Sequence, residues 1–199
     1  SGAILDYTDH EAPPVWMDVD GHGDVLLRHP SGDMIVGGEF TAIDGTAVQN
    51  VARIGGGVVH PLGAGLPERV DALAMWNGQI VAAREADGGD WSNRVLEVWD
   101  GASWQEIGFV WGRVGAMVEF QDQLVVGGAF NAIDTTWLGS LAAWDGAAWT
   151  SPGDVDFGNR SAGEREALEQ DLDRVSRLAR TFSHLGTAEI LDRPDLEPS

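Results

Sequence analysis

Short apolar runs broken by turn residues fill most of this chain, and they recur. MIVGGEF (34–40), QIVAARE (79–85) and LVVGGAF (124–130) share one register, and ARIGGGVV (52–59), EVWDGASW (97–104) and AAWDGAAW (142–149) share a second. Ile54, Trp99 and Trp144 stand 45 residues apart, as do Gly56, Gly101 and Gly146. Continuous apolar runs such as Ile80 to Ala83 read as fully buried strands. Alternating runs such as Val95 to Trp99 read as half-buried ones. A period of this length in strand-sized units is the signature of a repeat architecture.

Each unit holds four strand signals separated by turn residues. Residues 25–62, 70–107 and 114–152 are expected to form one four-stranded antiparallel sheet each, with Val36, Ala82 and Val126 in equivalent buried strands. The dipeptide Asp100-Gly101 is expected as a tight hairpin turn with positive φ at both central positions. The Gly-Gly pairs at 37–38 and 127–128 leave room for close backbone approach, and Ala82-Ala83 takes their place in the middle unit. Residues 1–20 read as half a unit, with strands over 3–8 and 14–19. Their inner partners are expected from outside the three units, either an upstream segment or another subunit.

After residue 153 the period changes from two to that of a helix. Ser161 and Glu164 form a capping box, and Leu168, Leu172, Val175, Ala179 and Phe182 follow at helical spacing. The pattern predicts an amphipathic helix over 162–185, stopped near Gly186, then an extended tail with Pro194 and Pro198. The domain reading is therefore a half-blade at 1–20, three repeats at 21–153, and a helix with tail at 154–199.

The hydrophobic-Gly-Gly run followed by Trp-Asp-Gly-x-x-Trp resembles kelch-type β-propeller repeats. It is closest to the GG-x-F-T…A-R-W-D-G-x-x-W units of bacterial exported proteins, also seen in fungal cell-surface landmark proteins. Phe40 and Thr41 occupy the F-T position, and Phe130 and Asn131 occupy it in the third unit. The resemblance covers about residues 14–153. It implies an all-β fold, a partial or composite β-propeller, since three and a half units are fewer than the blades of an ordinary closed ring. It also implies a secreted or cell-surface setting.

Charge and composition narrow the function. The net charge is −20 and all basic side chains are arginine, which disfavours nucleic acid and anionic membrane surfaces. No apolar stretch is long enough to predict membrane insertion. Cysteine is absent, so thiolate metal sites and cysteine nucleophiles are excluded. No histidine pair has metal-ligand spacing and no glycine-rich loop is built to cradle phosphate.

Two constellations remain. Asp18, Asp20 and Asp24, in an Asp-x-Asp-Gly-x-Gly context, are candidate calcium ligands, because spaced oxygens suit a hard cation. Trp91 and Trp137 both fall between the second and third strands of their units, and are candidates for binding a glycan or a peptide. The expected function is a non-enzymatic exported or cell-surface module that presents loops for protein or glycan binding. The alternatives are an assembly subunit, joined as a homo-oligomer through the helix or half-blade, and a glycan-active hydrolase or lyase.

Overall fold

The computed structural model describes residues 2–6, 15–88 and 90–152, with side chains for residues 17–88 and 92–152. The expected helix over 162–185 and the tail lie outside the described residues. The described part is built of antiparallel strands. β1 (Gly2–Asp6) and β2 (Val15–Val19) form a hairpin. The first unit follows as β3 (His22–Arg28), β4 (Met34–Glu39), a small hairpin of β5 (Ala42–Ile43) and β6 (Thr46–Ala47), then β7 (Val51–Gly55) and β8 (Val58–Pro61). β3, β4, β7 and β8 make one four-stranded sheet, as the repeat predicts.

The second and third units do not make separate sheets. Their strands are β9 (Val70–Trp76), β10 (Gln79–Ala86), β11 (Asp90–Trp99), β12 (Trp104–Phe120), β13 (Gln123–Ile133), β14 (Thr136–Trp137), β15 (Leu141–Trp144) and β16 (Trp149–Thr150). All belong to one sheet, ordered β9-β10-β11-β12-β13-β15-β16 with β14 beside β13. The 17-residue β12 serves as last strand of one unit and first strand of the next, pairing β11 up to Val110 and β13 from Val110 onward. The residues between Trp104 and Phe120 include glycines but no proline or turn dipeptide, so the chain bends without stopping. The bend falls at Gly112, where φ is 131°, and at register shifts around Trp111 and Val114.

The N-terminal hairpin also departs from expectation. β2 finds a partner inside the first unit: Val19 pairs with Ile43, and Asp44 N–H donates to Asp18 O at 2.7 Å. The β5–β6 hairpin reaches back to the preceding strand because Asp44 adopts φ 49°, a left-handed conformation that aspartate tolerates better than most residues.

Three cores hold the sheets together. Met17 and Val19 meet Val36, Ile43 and Ile54; Ile35 and Val51 meet Val70, Leu73, Ile80 and Ala82; Val81 and Leu96 meet Leu124, Val126 and Ala142. Val36, Ala82 and Val126 are all fully buried, as expected, but each lies in a different core. The repeat-equivalent Ile35 and Ile80 share one core, and Val81 and Val126 share another, so successive units meet through like faces. Blades of a propeller turn opposite faces to their two neighbours. The described residues therefore form an all-β stack, and no closed propeller ring is seen among them.

The Trp-Asp-Gly-x-x-Trp segments fold alike in both later units, though not as two-residue turns. Only the glycine has positive φ, 100° at Gly101 and 102° at Gly146. The aspartate instead caps the turn: Asp100 Oδ1 accepts from the N–H groups of Ala102 and Ser103, and Asp145 Oδ1 from those of Ala147 and Ala148, each at 2.8 Å. These bonds hold both carboxyls below the usual carboxylate range, chiefly through the backbone N–H donors. Trp104 Nε1 donates to Leu62 O at 3.2 Å and Trp149 Nε1 to Ile107 O at 2.7 Å, the same link made 45 residues later.

Candidate ligand-binding site

At one end of the large sheet the strands run in the order β11, β12, β13, β14. There Trp111 of β12 pairs with Ala132 of β13, and Ala132 pairs with Trp137 of β14. Residues paired directly across a ladder point to the same face. The neighbouring residues Val110 and Ile133 point the other way, into the core. Trp111 and Trp137 therefore flank buried Ala132 on the outer face, 53% and 81% exposed respectively. Phe109 lies two residues before Trp111, hence on the same face, and meets its ring edge-on at 5.0 Å and 68°.

The chain's own geometry fixes this ledge. Asp134 turns the β13–β14 hairpin at φ 51° and clasps β12 twice: its N–H donates to Phe109 O at 2.7 Å, and its Oδ1 accepts from Phe109 N–H at 2.8 Å. Trp111 Nε1 donates to Asp134 O at 2.9 Å, which holds the indole against the turn. Gly112 allows β12 to pass close to β13; a Cβ there would lie 2.3 Å from Ala129 O. On the other side, Asn93 Oδ1 accepts from Gly112 N–H at 3.1 Å.

The first unit contains the same device with different side chains. Val19 pairs with Ile43 as Val110 pairs with Ile133, and Asp44 bonds Asp18 O as Asp134 bonds Phe109 O. A Cβ on Gly21 would lie 2.0 Å from Glu39 O, the counterpart of the Gly112 approach. The ledge positions Phe109, Trp111 and Trp137 thus correspond to Asp18, Asp20 and Ala47. One hairpin is built twice, and only the second copy carries aromatic rings.

This equivalence accounts for the candidate calcium ligands. Asp20 Oδ1 accepts from Thr41 N–H at 2.9 Å and Ala42 N–H at 3.0 Å, and its other oxygen accepts from Thr41 Oγ1. These bonds, the Thr41 hydroxyl first, lower its pKa. Asp24 pairs with Arg69 at 2.9 Å, and Asp18 is exposed. The structure does not bring the three together, and among the described residues no three acidic or histidine side chains form a metal-sized cluster.

Trp137 stands on the ledge. Trp91 lies in β11 at the same end of the sheet, on the strand next to β12; its side chain is outside the described set. Sequence reasoning placed both in loops, whereas both are in strands at hairpin ends. It missed Phe109 and Trp111. Aligning the two Ala-Ile-Asp segments, 42–44 and 132–134, with a one-residue gap between them and the preceding strands, would have set Phe109 and Trp111 against Asp18 and Asp20 and revealed the aromatic substitution.

Buried charge lies elsewhere. Arg84 and Glu97 are both buried in the middle unit, joined at 2.9 Å, and Arg94 is buried against Asp71. A cleft of about 540 Å³ between the first two units is lined by Asp20, His22, Glu39, Glu68, Arg69 and Glu85 among others. Compared with protein-family models, with curated proteins and with solved structures, the chain finds no match.

Proposed function

We propose that this chain is a non-enzymatic binding module, exported or at a cell surface, whose protein or glycan ligand docks on the ledge of Phe109, Trp111 and Trp137. One observation carries the reading: the first unit builds the same hairpin with Asp18, Asp20 and Ala47, so folding does not require aromatic rings at these positions. Large apolar side chains held in water at positions a fold does not need are the mark of an interaction surface. Hairpin ends supported by a packed sheet present such residues with little ordering cost.

Four aspartates are tied into the fold by hydrogen bonds. Asp20, Asp33, Asp100 and Asp145 are all shifted downward, each led by hydrogen bonds from neighbouring turn, strand or side-chain donors. The buried Arg84–Glu97 pair, with Asp87 as a second partner of the arginine, holds the middle unit together.

The test is surface plasmon resonance against glycan and peptide arrays, comparing the wild type with Trp111→Ala and Trp137→Ala. Ligands held by the wild type and released by both variants, at unchanged melting temperature, are expected. Equal binding by all three proteins would remove the ledge from the function.

A further inference from the structure

We infer that the ledge takes a neutral glycan chain, with separate sugar rings of one chain stacked on Trp111 and Trp137; this rests on reading the ledge as the docking surface. Trp111 and Trp137 are two strand spacings apart, roughly 9–10 Å. Between them lies Ala132, too small to interrupt a flat occupant. One sugar ring does not span that distance, whereas an oligosaccharide does.

The chemistry around the rings fits the same occupant. A pyranose has apolar C–H faces, which lie on aromatic rings, and hydroxyls around its edge, which need donors and acceptors. Asp134 and Thr135 are exposed in the β13–β14 turn beside the rings and supply both. The Trp111 ring is held by its bond to Asp134 O and by the edge of Phe109, so binding orders little that is not already fixed. The net charge of −20 disfavours uronic-acid and sulfated chains, which leaves the neutral ones.

A protein partner fits less well. A standard protein interface covers about 800 Å² on each side around a desolvated core. Among the described residues, the other exposed large hydrophobics, Leu26, Val58 and Val118, lie on β3, on β8 and toward the far end of β12, and do not extend the ledge. Two rings and the edge of a third, bordered by the polar β13–β14 turn, make a strip for a narrow chain.

Affinity electrophoresis of the full chain tests this, with hydroxyethylcellulose, xylan, laminarin or glycogen in the gel, heparin as the anionic control, and an immobilised peptide library run in parallel. Retardation by at least one neutral polysaccharide is expected. Trp111→Ala and Trp137→Ala should each weaken it about tenfold or more. Retardation that survives both substitutions, or that only heparin produces, overturns the inference. Peptide capture lost in Trp137→Ala, with no neutral polysaccharide bound, overturns the glycan while leaving the ledge as a binding site. Binding to neither class overturns both.

Discussion

Replacing Trp149 by phenylalanine removes one indole N–H from a link that the repeat makes twice. The ring is buried, 7% exposed, and its Nε1 donates to Ile107 O at 2.7 Å. Losing the bond costs about 1 kcal/mol and stranding the carbonyl adds a similar amount. The smaller ring also leaves space beside Gly108, where a Cβ would lie 2.7 Å from the indole nitrogen. The total for Trp149→Phe is about 2–3 kcal/mol. The repeat supplies its own comparison: Trp104 is half-buried and its bond to Leu62 O is 3.2 Å, so Trp104→Phe should cost about 1 kcal/mol. Urea titration of both variants at constant slope reads the difference. Equal costs, or a cost below about 0.5 kcal/mol for Trp149→Phe, would refute the assignment of this bond as a link between units.

Two further outcomes follow from the charged groups. Glu97→Gln should destabilise the protein by about 3 kcal/mol in the same titration, because Arg84 is left buried with only exposed Asp87 as a charged partner; a neutral result would mean that the pair is solvated. The turn caps predict acid sensitivity: the folded pKa values of Asp20, Asp33, Asp100 and Asp145 are lowered, so their stabilisation is present above the unfolded value of about 4. It is lost as pH falls through the folded values, so Asp145→Asn should flatten the decline in melting temperature below about pH 4; an unchanged slope would remove the cap from the account.

Strand positions and the repeat were legible because apolar runs and turn residues recur at a fixed spacing. The boundary between the second and third units was not. The residues after Trp104 were read as ending one strand and starting another, but nothing there stops a strand, and the register shifts near Gly112 only bend it. Which faces meet is not written in the period either, since Ile35 and Ile80 occupy the same repeat position and share a core. At the candidate site, Trp137 was legible as an aromatic away from the repeat pattern. Trp111 was hidden because its partners, Ala132 and Asp134, are some twenty residues distant. The three aspartates looked like cation ligands because their spacing is local, while the bonds that occupy Asp20 and Asp24 come from Thr41, Ala42 and Arg69.

The most direct measurement converts the second copy of the hairpin into the first, with Phe109→Asp, Trp111→Asp and Trp137→Ala in one chain. The account predicts a folded protein whose urea stability falls by less than about 2 kcal/mol, since the two indoles are 53% and 81% exposed, together with loss of binding to whichever ligand the wild type retains. A variant that unfolds would show the rings to be part of the fold, and a folded variant that binds as the wild type does would show that the ledge is not where the ligand docks.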